Sequence, residues 1–169
     1  MRVRAVCGEE IQVDWAGWAL FGLIATTALT GVLIVAQLAG LTRMDLPLML
    51  GTLAVEDPDK ARVVGFAIHL GIGQFFALGY AGAFAIRGAS WWFGALLGLA
   101  HGFIALAALV PLLPGVHPRM ASARAGPTQP PGLEPPGLFA LNYGRHTVVV
   151  TLIAHLGYGL TLGALLGPR

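Results

Sequence analysis

The chain has 169 residues, 56% of them hydrophobic and only 11% charged, with a formal net charge of +2. A soluble domain carries about 25% charged residues, so an ordinary soluble fold is excluded, and without a basic run nucleic acid is not an expected partner. The apolar residues gather into four runs, about 15–38, 63–86, 91–113 and 147–166, none of which contains Asp, Glu, Lys or Arg. Each run meets the roughly 20 residues needed to cross about 30 Å of hydrocarbon. The expected fold is an all-α integral membrane protein with four transmembrane helices, in a single transmembrane domain over residues 1–169.

Taken in chain order, the first run is too long for the apolar core of a signal peptide. Glu9, Glu10 and Asp14 occupy the flank that should be basic. It is expected to remain a helix. Leu46–Ala54 follows Asp45, is apolar and is too short to span, which predicts an interfacial or re-entrant helix. Glu56, Asp57 and Asp59 then precede the second span, where carboxylates suit the positive end of a helix; they offer too few oxygen ligands for calcium. A short turn at Arg87-Gly88 leads to the third span. The loop after it holds Pro114, Pro118, Pro127, Pro130, Pro131, Pro135 and Pro136, a density that forbids regular helix. Leu133, Leu138, Phe139, Leu141 and Tyr143 are too apolar for a free linker, so residues 132–143 are expected on the membrane surface or against another subunit.

Four spans put both termini on one side, together with Trp15, Trp18, Trp91 and Trp92, half of an aromatic belt. The two long loops share the other side. Arg43, Lys60, Arg62, Arg119, Arg124 and Arg145 on the loop side outnumber Arg2, Arg4, Arg87 and Arg169, which orients the loops towards the cytoplasm.

The string His69-Leu70-Gly71-Ile72-Gly73 returns as His155-Leu156-Gly157-Tyr158-Gly159. A shift of 86 residues carries His69 onto His155, Gly73 onto Gly159 and Val63-Val64 onto Val149-Val150. A shift of 76 carries Gly22-Leu23 onto Gly98-Leu99 and Arg43-Met44 onto Arg119-Met120. Spans one and three, and spans two and four, are thus predicted to be equivalents. The chain would be two repeated helical hairpins, about 15–86 and 91–166, related by an axis along the membrane normal.

Histidine is costly inside a membrane, and three fall within spans: His69, His101 and His155. At 1.5 Å per residue they lie roughly 10, 18 and 13 Å from the loop side, close to one layer. With no acidic partner in the spans, the neutral imidazole is the expected form. One reading is a cofactor site: haem b held by His69 and His155 as axial ligands, or a chlorophyll-type pigment, with Gly73 and Gly159 making room for a flat macrocycle. The favoured reading is structural. Each histidine would hydrogen-bond across a helix interface to a partner such as Thr26, Thr27, Thr30, Gln37, Gln74, Tyr80 or Thr151, with no cofactor. A third is a polar path for a small transporter or channel. His117 and His146 are expected at the loop-side surface, where Arg43, Arg119 and Arg145 would form a basic cluster for an anionic lipid or partner. The single Cys7 excludes an internal disulfide or cysteine metal cage. Ser90 and Ser122 are the only serines and both lie outside the spans, so no serine nucleophile sits in the bundle. No phosphate loop, hydrolase elbow or zinc-protease motif occurs. No metal ligand set and no catalytic residue is predicted.

Three strings, Leu41-Thr42-Arg43-Met44-Asp45-Leu46-Pro47, His117-Pro118-Arg119-Met120 and Leu141-Asn142-Tyr143-Gly144-Arg145, resemble those of a group of small four-helix bacterial membrane proteins with no assigned activity. The resemblance implies a bacterial inner-membrane protein and brings no catalytic residue with it. Lacking catalytic motifs and having an apolar Pro-rich loop, the chain reads as a non-catalytic accessory subunit of a larger membrane assembly, or as a homo-oligomer.

Overall fold

In a computed structural model, residues 3–4, 10–11, 14–121 and 132–166 are described. Val3–Arg4 (β1) and Glu10–Ile11 (β2) form a short antiparallel pair. The rest is helical: α1 Trp15–Leu38, α2 Leu46–Gly51, α3 Pro58–Arg87, α4 Trp91–Gly115 and α5 His146–Leu165. α1, α3, α4 and α5 are long and apolar enough to cross a membrane. Their outward faces carry large apolar side chains such as Val35, Val63, Phe75 and Ile86, while buried positions are rich in Ala, Gly, Thr and His. That distribution suits a lipid surround rather than water.

The helix starts follow local chemistry. Asp14, Asp45 and Asp57 each accept a backbone N–H three residues on, from Gly17, Leu48 and Lys60, at 2.8–2.9 Å. Pro58 occupies the first position of α3, where a missing N–H costs nothing. α3 therefore begins five residues ahead of its apolar run. Its first turns carry Asp59, Lys60 and Arg62, and Arg62 is ion-paired to Asp45 at 2.9 Å.

α1 lies between α3 and α5, and α5 packs closely on α4, giving the order α3–α1–α5–α4. Backbone approach at α4/α5 depends on glycine: a Cβ at Gly94 would lie 2.1 Å from the Gly159 carbonyl oxygen, and one at Gly98 2.3 Å from that of His155. α2 lies across the loop-side end of α3 by the same device, with Gly51 against the Ala61 carbonyl and Gly65 against that of Pro47. The expected short loop helix is thus present, but its buried residues, Pro47, Met49, Leu50 and Gly51, pack into the protein itself.

A strict two-fold relation would bring α3 against α4 as α1 lies against α5. The α3 and α4 backbones instead part, and side chains bridge them. Phe76, Tyr80 and Phe84 run along one face of α3 and meet His101, Tyr158 and Phe93 at ring separations of 4.0, 5.3 and 5.8 Å. This aromatic ladder fills the terminal-side half of the gap.

The end of the Pro-rich loop keeps Leu138 and Leu141 exposed. Leu138–Tyr143 forms a 3-10 turn folded back on the bundle, with Ala140 and Tyr143 buried. The Tyr143 carbonyl accepts from the Arg43 N–H at 2.9 Å, and Thr42 and Thr147 share a 2.6 Å hydrogen bond beside it. Phe139 and Ala140 have φ near +54° and +57°, a left-handed strain that this packing holds in place. The prolines 127, 130 and 131 fall outside the described residues.

Candidate functional site

On the loop side of the aromatic ladder the gap between α3 and α4 stays open, forming a cavity of about 720 Å³. α2 roofs it with Leu46, Met49 and Leu50, α1 backs it with Leu29 and Leu33, and Phe76 and Tyr158 close its far end. Gly71, Ile72 and Phe75 at its edge are exposed on the outer face of α3, so the cavity opens sideways towards the bilayer.

α4 is reshaped where it walls this cavity. Pro111 has no N–H, and its ring crowds the carbonyl four residues back, Ala107. Residues 105–109 widen into a π-turn, with the Val110 N–H bonding Ala105 instead of Leu106. Ala105, Leu106 and Leu109 of that turn line the cavity. Such turns recur at functional sites.

His69, His101 and His155 all line the same cavity, so the structure brings together the three membrane histidines singled out in the sequence. Each uses Nδ1 towards the protein. His155 Nδ1 lies 2.8 Å from the Thr151 carbonyl oxygen, His69 Nδ1 2.8 Å from Thr30 Oγ1, and His101 Nδ1 3.4 Å from the Tyr80 hydroxyl. The His101 ring stands edge-on to that of His155 at 4.7 Å and stacks on Phe76 at 4.0 Å. Thr151 Oγ1 is buried without a hydrogen-bond partner among the described residues, as is Gln74 Oε1 lower in the bundle. Among the described residues, no group of three or more His, Cys, Asp or Glu side chains is disposed to hold a metal ion.

The two repeated strings are joined by a hydrogen bond in which the Tyr158 hydroxyl donates to the Gly73 carbonyl at 2.6 Å. Their final glycines are both points of close approach, and Gly73 also lines the cavity. Gly73 lets Thr26 of α1 approach, and Gly159 is pressed against the Gly94 backbone. The missing side chains at these two positions admit neighbouring helices.

The loop-side residues are also rearranged relative to expectation. His117 is buried, only 3% exposed, and does not face lipid headgroups. Its Nε2 donates to the Met49 carbonyl at 3.0 Å and its Nδ1 accepts from the Arg119 N–H at 3.1 Å, pinning the roof helix to the end of α4. Arg119 pairs with Glu56 at 2.9 Å, and Arg43 with Glu134 at 3.1 Å. Two members of the supposed basic cluster are therefore occupied by acids, and Arg145 and His146 stand exposed at the start of α5.

Burial pushes the His117 imidazole below its ordinary 6.5; the Arg119 charge lowers it further, against the opposing pull of the Met49 carbonyl. A histidine held neutral in the fold protonates more readily once unfolded. Its contribution is therefore complete above about pH 6.5 and is lost as pH falls below that value. The unfolding midpoint is expected to drop more between pH 7.5 and 5.5 in the parent protein than in His117→Gln, which keeps a donor for Met49. Equal slopes in thermal melts of the two proteins would refute this role.

No protein-family model matches the sequence, and no curated protein or solved structure gives a significant match. The cavity and its three histidines therefore carry the functional argument.

Proposed function

We propose that this chain is a non-catalytic, multi-pass membrane protein that takes up a neutral, largely apolar molecule from the bilayer through the gap between α3 and α4. The observation that carries the reading is the cavity itself. Its volume of about 720 Å³ lies within the usual range for small-molecule sites, and its walls combine apolar surface with a few convergent polar groups. None of the residues lining it is Asp, Glu, Lys or Arg. An anionic ligand such as haem, with two carboxylates, would find no cationic partner there; this favours an uncharged occupant over the haem reading.

Gly71→Trp is the test. Nothing lies within 4 Å of where a Cβ would sit at Gly71, and the residue stands at the cavity edge. The variant should fold as the parent does and block the mouth. Protein purified in mild detergent and extracted with organic solvent should yield a neutral lipophile in near-equal amount with the parent chain, and not with Gly71→Trp. Identical extracts would sink the reading.

A second reading, a homo-oligomer or accessory subunit of a larger assembly in a bacterial inner membrane, is favoured by Gly79 and Gly82 on α3, where a Cβ would meet no other helix of the described residues within 4 Å. It would set the two repeated hairpins, with loops towards the cytoplasm, against other membrane subunits or copies of this chain. Native mass spectrometry from nanodiscs, giving only the mass of one chain, would count against it.

A further inference from the structure

Resting on the reading of the cavity as a ligand site, we infer that its occupant carries a dihydroxy-aromatic head, an isoprenoid-type hydroquinone bound in preference to its quinone. The argument begins with proton positions. The Thr151 carbonyl can only accept, so His155 Nδ1 must carry the proton. Thr30 Oγ1 already donates to the Thr26 carbonyl at 2.7 Å, so towards His69 it can only accept, and His69 Nδ1 carries the proton as well. Charge is disfavoured in an apolar span with no carboxylate in the lining, so both imidazoles are neutral. Each then has a bare Nε2 lone pair, which no group among the described residues bonds. The two acceptors come from different helices, α3 and α5, into one cavity.

A complementary ligand brings two hydrogen-bond donors and no charge. Thr151 Oγ1, buried and unpartnered on the same lining, adds a third polar group for the head. Phe76, Tyr158 and the His101 ring supply flat apolar surface for an aromatic nucleus. The sideways opening at Gly71 and Phe75 lets a long apolar tail trail into the bilayer. A hydroquinone satisfies all four conditions. A quinone of the same shape can accept from the Thr151 hydroxyl, but it presents carbonyl oxygens to the two imidazole lone pairs, which leaves these buried acceptors facing acceptors and costs affinity.

The test uses full-length protein in nanodiscs and four probes: 2-decyl-1,4-hydroquinone, its quinone, its dimethyl ether and decanol. The hydroquinone should bind about tenfold or more tightly than each of the others, the loss expected when two hydrogen bonds go unmade. Thr30→Val, close in shape, removes the acceptor that fixes the His69 tautomer. It should narrow the hydroquinone-to-quinone ratio while binding of the dimethyl ether stays unchanged. Quinone or dimethyl ether binding as tightly as hydroquinone overturns the inference and leaves the cavity reading intact. Decanol binding equally well overturns the aromatic head. Failure of every probe to bind, or to be blocked by Gly71→Trp, overturns both.

Discussion

Gly94→Leu should remove the folded bundle. A Cβ at this position would lie 2.1 Å from the Gly159 carbonyl oxygen and 3.0 Å from the Gly163 Cα, so the obstacle is backbone, which cannot rotate aside. Separating α4 from α5 by even one side chain would also undo the contacts at Gly98 and Gly163, which sit in the same interface. Overpacking a well-packed interior costs about 1–3 kcal/mol, and here the loss of the whole interface adds to it; total stabilities of about 5–15 kcal/mol leave little reserve. The expected outcome is an aggregated or low-yield protein by size-exclusion chromatography, or a sharply lower thermal midpoint. Gly79→Ala is the control. Nothing lies within 4 Å of its Cβ position, and alanine is favoured over glycine in a helix interior by about 0.8–1 kcal/mol. It should leave the midpoint unchanged or raise it. A Gly94→Leu protein melting with the parent would show that α4 and α5 do not meet as described.

The spans were legible because hydrocarbon thickness imposes a length on an uncharged run, and α1 begins and ends where its run does. The start of α3 was not, because the apolar run marks where lipid begins, while the helix begins where Asp57 and Pro58 supply a cap and a first turn. That signal was present in the sequence as an Asp-Pro pair. The histidine layer was legible too, since three polar residues at similar depth have reason to share one interior. What the sequence concealed was the sharing of helices. His69 and His155 belong to matching strings, which left open whether their two faces meet. The strings are hydrogen-bonded through Tyr158 and Gly73, and the space lies between α3 and α4, where bulky Phe76, Tyr80 and Phe84 hold the backbones apart. A glycine in a repeat can admit a ligand or a helix, and composition alone does not distinguish the two. The burial of His117 was hidden for a related reason: a histidine just past the end of a span reads as a surface residue, although its bonds to Met49 and Arg119 make it part of the roof.

Pro111→Ala should separate stability from ligand uptake. Proline within a helix costs about 3 kcal/mol relative to alanine, and α4 accommodates it by the π-turn over 105–109. With alanine at 111 a backbone N–H becomes available to the Ala107 carbonyl, and the ring that crowds it is gone. The turn can then tighten to ordinary α-helix, which has one fewer residue in each hydrogen-bonded ring. Ala105, Leu106 and Leu109 would rotate relative to the cavity they now line. The variant is expected to melt higher than the parent protein, by an amount worth up to about 3 kcal/mol, and to lose most of its binding of a lipophilic probe. That combination is what a strained wall kept for function predicts, since stabilising changes at such places commonly cost activity. A rise in stability with binding intact would mean that the π-turn merely tolerates Pro111. A fall in stability would mean that neighbouring side chains depend on the widened turn, and that the cavity is part of what holds α4 in place.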